Sequence, residues 1–338
     1  MSAVTPANAT VRALAREDLM EVVAIDAAIE ARPRRRYVER RLSAALREPA
    51  LHAQLAAVDA DGLAGYILAR VLEGEFGRSE RALRLELIGV RPDARRRGIA
   101  QQLLAALCDW GRRHGIVELR TAAAWTDHRM LGWFDAMGFA LAPALILESP
   151  IAGDAWQPER DDALSLERGE GPAHEVNFGA REANDFERLG RDRAHVRTMT
   201  EDDLAPIARI DRALTGRDRS LYIRSRLAEA LGDGGIRVSL TARMDDTVVG
   251  YLMARADLGD FGRAEPVAVV DTVGVDPDYQ RRGIGRALMA QLVANLGALR
   301  VERIETLVSL RDLPLLGFLA ALGCTPAQRL PFVRGVQR

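Results

Sequence analysis

The feature that most constrains this chain is that it matches itself. A shift of 185 positions (from Gly98 to Gly283) superposes far more than one motif. "VRALAREDLMEVVAIDAA" from Val11 falls on "VRTMTEDDLAPIARIDRA" from Val196, and "GYILARVLEGEFGRSE" from Gly65 on "GYLMARADLGDFGRAE" from Gly250. Further on, "DHRMLGWFDAMGF" from Asp127 meets "DLPLLGFLAALGC" from Asp312. The register runs without a gap from Val11 to Leu147, with roughly a third of positions identical. A period of that size is a duplicated domain, well beyond the ~20–50 residue unit of a solenoid. At 338 residues there is length for two full cores. The reading is therefore a first domain over 9–150, a linker over 151–193 and a second domain over 194–338. The linker contains "SPIAGDAWQPERDDALSLERGEGPAHE", rich in Pro, Gly and charge, and "REANDFERLGRDR", with room for one amphipathic helix.

Within one repeat the hydrophobic periods switch between those of helix and strand. "TEDDLAPIARIDRAL" has a capping threonine, early acids and apolar residues at helical spacing, and "SLYIRSRLAEAL" continues as a second helix. "IRVSLTARMDDTVVGYLMAR" alternates about the "MDDT" turn as a hairpin, and "PVAVVDTVGV" is a strand buried on both faces. A helix over "RALMAQLVANLGAL", a strand over "VERIETLVSL", a short helix over "LPLLGFLAALG" and a closing strand over "QRLPFV" follow. The order α, α, β, β, β, α, β, α, β gives an α/β class with a mixed sheet and a right-handed crossover at its centre.

Composition narrows the chemistry. The net charge is −1, so no global basic field argues for nucleic acid or an anionic membrane. Every basic side chain is arginine, which removes lysine Schiff-base chemistry. Cys108 and Cys324 fit neither a disulfide framework nor a zinc spacing, and the five histidines form no ligand pair, so no metal is expected. The first residues carry no apolar signal-type run and no segment has membrane-spanning length, so a cytoplasmic location is expected.

The chemistry gathers at "VRPDARRRGIAQQLL" and its twin "VDPDYQRRGIGRALM". A buried strand feeding a glycine turn and then a helix presents unpaired N–H groups at a helix N-terminus, which attract phosphate by hydrogen bonding and by the helix dipole. Gly283 and Gly285 would let a pyrophosphate approach the amides, and Arg281, Arg282 and Arg286 would screen it. Neither copy is a P-loop or a G-x-G-x-x-G turn.

The motif V-x-P-x-x-[QR]-x-x-G-[IL]-[GA] between a buried strand and a helix resembles the acetyl-CoA-binding segment of the GNAT superfamily of N-acetyltransferases. Here it is Val90, Pro92, Arg95, Gly98, Ile99 and Ala100, and again Val275, Pro277, Gln280, Gly283, Ile284 and Gly285. The resemblance covers both repeats and implies two tandem GNAT-like folds, a pseudo-dimer within one chain, existing as a monomer or homodimer. It implies that the 95–100 turn (Arg95, Arg96, Arg97, Gly98, Ile99, Ala100) and the 280–285 turn with Arg286 hold the CoA pyrophosphate. The backbone of Ile88–Val90 and Val273–Val275 would run beside the pantetheine arm. The family's helix pattern N-x-x-A-x-x-x-Y-x-x-x-G-F reads Asp127 and Asp312 at the asparagine, and Phe134 and Leu319 at the tyrosine that protonates the CoA thiolate. Both copies depart from the family there.

Acyl transfer to an amine needs a proton acceptor. Glu86 and Asp271 hold equivalent places in the central strand. Strict alternation would put them on the face of Ile88/Val90 and Val273/Val275, where an apolar setting would raise a carboxylate pKa; the alternative is a carboxylate paired with arginine for structural reasons. The loop pair Glu75 and Asp260 is the next candidate. In the early helical region, Arg32/Arg217, Arg34/Arg219 and Tyr37/Tyr222 would form the acceptor lip, or else a solvated amphipathic face. Trp125 and Trp133 read as core or pocket wall. The expected activity is acetyl transfer from acetyl-CoA directly to a primary amine, small molecule or protein, with the second half the surer site. The competing class is a non-catalytic acyl-CoA-binding or regulatory module; a nucleic-acid binder using the arginine runs is a third.

Overall fold

The computed structural model describes residues 9–30, 34–75, 81–151, 194–231, 238–257, 267–299 and 301–336. Asp260, Arg32 and the segment "REANDFERLGRDR" lie outside them.

The first half runs β1 (Thr10–Ala13), α1 (Leu19–Glu30), α2 (Arg35–Arg47), β2 (His52–Asp59), β3 (Gly62–Glu73), β4 (Arg81–Val90), α3 (Ile99–Arg113), β5 (Glu118–Ala124), α4 (His128–Ala136), β6 (Ala140–Leu141) and β7 (Ala144–Pro150). The second repeats it as β8 (His195–Thr198), α5 (Leu204–Thr215), α6 (Ser220–Leu231), β9 (Leu240–Met244), β10 (Thr247–Asp257), β11 (Val267–Val275), α7 (Ile284–Ala298), β12 (Arg303–Ser309), α8 (Leu313–Ala321), β13 (Thr325–Pro326) and β14 (Arg329–Gly335). The order read from the sequence is present, with two strands more in each half: one at the head (β1, β8) and a two-residue strand before the closing one (β6, β13). β1 and β8 are four residues long and bury no residue fully, so they carry no apolar signature. The "MDDT" hairpin is tight: Asp245 and Asp246 both have positive φ, as a two-residue primed turn requires.

Each sheet is covered on both faces. In the first half, one core gathers Leu83, Leu85, Leu103, Leu107 and Phe134 with α3 and α4, and the other gathers Val22, Tyr37, Leu42, Tyr66 and Leu87 with α1 and α2. The second half has the same two cores, built on Val270, Leu288 and Leu292, and on Ile207, Ile223 and Tyr251. Burying apolar side chains on both faces makes the sheet the middle layer.

The closing strands do something the pattern of one repeat does not reveal. The sheets run β1-β2-β3-β4-β5-β14-β6 and β13-β7-β12-β11-β10-β9-β8. β14 pairs antiparallel with β5 from Arg329↔Ala124 to Gly335↔Glu118, while β7 pairs with β12 from Arg303↔Pro150 to Ser309↔Ala144. "QRLPFV" is thus a strand, as its pattern predicts, but it completes the sheet of the other half. The exchange is reciprocal, and it ties the halves together by two full ladders of backbone hydrogen bonds.

Candidate active site

Two backbone devices, each present twice, define the site. The first is a fork. β4 and β5 pair in parallel only at Ala82–Arg84 with Glu118–Arg120, and β11 and β12 only at Val267–Val269 with Arg303–Glu305. Beyond those pairs the strands part, leaving the backbone edges of Ile88–Val90 and Val273–Val275 without a parallel neighbour. A threonine marks each crotch. Thr121 Oγ1 donates to the Leu85 carbonyl at 3.2 Å, and Thr306 Oγ1 to the Val270 carbonyl at 3.1 Å.

The second device is a bulge beside the fork. The β3–β4 register steps from Leu68↔Leu87 to Ala69↔Leu85, and the β10–β11 register from Met253↔Thr272 to Ala254↔Val270. The skipped residues are Glu86 and Asp271, the two candidate acid–base groups. An extra residue in one strand re-aims its side chain, and this corrects the expectation from strict alternation. Ile88 and Val90 pack on the α3 core, whereas Glu86 turns to the other face, where Arg41 Nη1 of α2 lies 2.8 Å from its Oε1. Asp271 is likewise buried, its Oδ1 taking a hydrogen bond from Arg255. Both carboxylates are held by arginine, the alternative use that the residue types left open.

After each fork comes the glycine-arginine turn, and the two copies have the same shape. Arg96 and Arg281 sit at φ 64° and 63°, and Gly98 and Gly283 at φ 81° and 77°. A Cβ on Gly98 or Gly283 would meet no atom, so these glycines serve the left-handed backbone rather than space. Successive residues of a turn that includes left-handed positions can curl their N–H groups into a concave nest. The N-caps of α3 and α7, Gly98 and Gly283, bring no side chain to the first helical amides, which are left without a side-chain cap among the described residues. In the first copy partial burial, followed by the like charge of Arg129 on α4, holds the Arg95 guanidinium below its ordinary range. That marks a concentration of positive charge suited to an anion. In the second copy Gln280 Nε2 donates to the Val275 carbonyl at 3.3 Å and the Arg282 guanidinium lies 5.1 Å from the Tyr279 ring centre. Gly285 needs a different account from the one its motif suggests. Its missing Cβ would fall 3.1 Å from the Phe318 ring, so the residue admits α8 rather than a ligand.

The remaining sequence candidates fall as follows. Asp127 and Asp312 are N-caps of α4 and α8, accepting from the Met130 and Leu315 amides at 3.0 and 3.1 Å. Phe134 and Leu319, at the tyrosine positions, are buried in the cores, and Phe134 packs 5.0 Å from Phe332 of the exchanged strand. Of the lip arginines, Arg217 is exposed, whereas Arg34 and Arg219 are buried. Arg34 pairs with Asp26 at 2.6 Å, and Asp26 also accepts from the Tyr66 hydroxyl; Arg219 pairs with Asp211 at 3.0 Å, which accepts from Tyr251. Tyr37 and Tyr222 are buried beside these arginines, with ring centres 5.2 and 4.6 Å from the Arg34 and Arg219 guanidiniums. Burial, then the charges of Asp271 and Glu75, pushes the Tyr222 phenol well above its ordinary range.

Residues that the sequence did not single out also shape the site. Arg329 on β14 is buried in the first half's sheet, 3.5 Å from Glu305 and donating to the Ala122 carbonyl at 3.3 Å; its counterpart by the repeat is Ala144. A cleft crosses between the halves, lined by Thr121 and Ala122, by Asp271, Thr306 and Leu307, and by Glu75 among others. Only knowledge of the strand exchange would have brought these together. Among the described residues no helix is long and apolar enough to cross a membrane, and no cluster of three or more His, Cys, Asp or Glu is arranged for a metal.

A splayed parallel strand pair followed by a left-handed turn and a helix, present once in each half, marks both halves as one class of α/β domain. The model of the acetyltransferase (GNAT) family matches residues 16–139 and 207–324. The chain belongs to that family, whose members use acetyl-CoA, and it carries two such domains. It is 47% identical over 53 residues to the N-alpha-acetyltransferase RimI of Mycobacterium tuberculosis; the match covers 15% of this chain and 31% of that relative. A tandem GNAT protein from the clavulanic acid biosynthesis pathway shares the fold with a TM-score of 0.60 at 18% identity, over 98% of this chain and 99% of that one. A GCN5-related N-acetyltransferase from Sphaerobacter thermophilus does so with a TM-score of 0.58 at 17% identity, over 99% and 98%.

Proposed function

We propose that each half holds acetyl-CoA, with its pyrophosphate on the amides of the 95–100 and 280–285 turns and its pantetheine arm along the edges of Ile88–Val90 and Val273–Val275. The single observation that carries this reading is the repeated nest: the same left-handed pair, Arg96/Gly98 and Arg281/Gly283, ahead of an uncapped helix at the end of a forked strand. Unpaired amides, the helix dipole and nearby guanidiniums are what a diphosphate needs.

The activity we infer is direct transfer of the acetyl group to a primary amine. The amine gives up a proton, its nitrogen attacks the thioester carbonyl, the C–N bond forms and the C–S bond breaks. Asp271 is the proton acceptor in the second half, because it borders the cleft between the halves. Phe134 and Leu319 offer no proton, so the thiolate leaves through solvent. The test is CoA release from acetyl-CoA across a panel of small and peptide amines. Turnover with any of them, abolished by Asp271→Asn, supports the reading. Tight acetyl-CoA binding with no turnover on any amine supports the second reading, a non-catalytic acyl-CoA-responsive module, which the two hydroxyl-free helix positions favour.

A further inference from the structure

The end of β3 in the first half reaches into the second. Arg219, just ahead of α6, donates to the Gly74 carbonyl, so Gly74 and Glu75 are pinned beside the second half's lip. Glu75 lines the cleft shared with Asp271 and Arg255, and its charge is felt at the Tyr222 hydroxyl. Its immediate surroundings are incompletely satisfied. Oε1 accepts from the Glu73 amide at 3.2 Å, but Oε2 is buried with no hydrogen-bond partner among the described residues. The Tyr222 hydroxyl, in a side chain 7% exposed, also lacks a partner among them.

The neighbouring charges are otherwise matched. Asp271 is held by Arg255, Asp211 by Arg219 at 3.0 Å, Glu305 by Arg303 at 2.9 Å, and Arg120 by Glu118 at 2.5 Å. Arg84 also borders the cleft and is engaged in its own contacts, and Arg226 lies against the Tyr222 ring at 5.9 Å. Glu75 is the carboxylate of this group to which no arginine is paired among the described residues. A buried carboxylate oxygen and a buried hydroxyl without partners are costly unless a ligand completes them. An anionic ligand would meet Glu75 head on. A primary ammonium supplies three N–H donors and the missing charge.

Resting on the acyl-transfer reading above, we propose that Glu75 of the first half completes the acceptor site of the second. It binds the cationic primary amine of the acceptor together with the Tyr222 hydroxyl, at the cleft that Asp271 borders. Transfer at the second half therefore depends on a residue from the first, a dependence that the strand exchange makes rigid.

The test uses the full chain saturated with CoA, which is unreactive, and n-butylammonium as the probe, followed by ligand-observed NMR. Butylammonium is expected to bind wild type, to bind Glu75→Gln about tenfold or more weakly, and to regain most of its affinity in Glu75→Asp. Tyr222→Phe is expected to weaken it by a smaller factor, and neutral n-butanol to be indifferent to all three changes. A melting curve for each variant that matches wild type keeps the loss from being one of folding. Equal butylammonium affinity in wild type and Glu75→Gln, or no binding to wild type, overturns the proposal. Acetyl-CoA titrated into CoA-free samples of the same proteins separates the two claims: failure of acetyl-CoA to bind overturns the acyl-CoA reading itself, whereas normal acetyl-CoA binding with a Glu75-blind amine overturns the Glu75 inference alone.

Discussion

In the first half the bulge carboxylate, Glu86, reaches Arg41 on the second helix; in the second half Asp271, one methylene shorter, takes Arg255 from the neighbouring strand. Both halves carry both arginines, since Arg41 corresponds to Arg226 and Arg70 to Arg255. The backbone devices are the same twice over: the fork, the threonine at its crotch, the bulge and the left-handed turn. What differs is the charge around the tyrosine of the lip. Each tyrosine has two arginines against its ring, Arg34 and Arg41 at Tyr37, Arg219 and Arg226 at Tyr222; but Tyr37 feels the charge of buried Arg329, while Tyr222 has the carboxylates Asp271 and Glu75 within electrostatic reach. The comparison teaches that the fork and turn proposed to hold acetyl-CoA are written in the backbone and recur in both halves, whereas the surroundings proposed to meet the acceptor are written in side chains and differ.

The largest effect that would sharpen this picture lies in the exchanged strand. Phe332→Ala, in the second repeat by sequence, is expected to cost about 3–5 kcal/mol, and the loss should fall on the first half. Hydrogen exchange of the α3 amides reports it. Faster exchange confined to α7 instead would break the claim that β14 belongs to the first core. Next in size, Asp271→Asn is expected to lower amine-dependent CoA release about a hundredfold, with Glu86→Gln within about threefold of wild type. Equal losses in the two variants would erase the asymmetry.

How much of this was legible in the sequence differs between the two sides of the site. The repeat, the helices and the turn were readable because periods of 2 and 3.6 and a glycine ahead of a helix have local causes. The exchange was not. "ALILESP" and "QRLPFV" specify strands and faces but not which sheet receives them, and the two residues Ala142 and Pro143 between β6 and β7 carry no sign of the crossing. The bulge was equally silent, because a one-residue slip in pairing has no compositional mark. It decided where Glu86 and Asp271 point, and so turned two presumed companions of the pantetheine strand into arginine partners. Arg34 and Arg219 were legible as a cluster but not as buried pairs, since Asp26 and Asp211 lie eight residues away and meet them only through helix packing.

The smallest expected effect concerns His52, which belongs to the first half alone; the repeat places Arg237 opposite it. Burial holds the His52 imidazolium below its ordinary value near 6.5. The unfolded chain therefore takes up a proton that the folded chain resists. The stability held by neutral His52 is present in full above that ordinary value and is lost as pH falls through it towards the folded value. His52→Gln should flatten the dependence of the melting temperature on pH below about 6.5, and an unchanged slope would remove this point of difference.

The central claim, one phosphate nest in each half, is tested most directly by calorimetric titration of acetyl-CoA into the full chain. Wild type is expected to take up two molecules per chain, and Gly98→Trp and Gly283→Trp one each, because a bulky side chain at a left-handed glycine both strains the turn and covers its amides. Loss of all binding in Gly98→Trp alone, or full binding retained in Gly283→Trp, would contradict it.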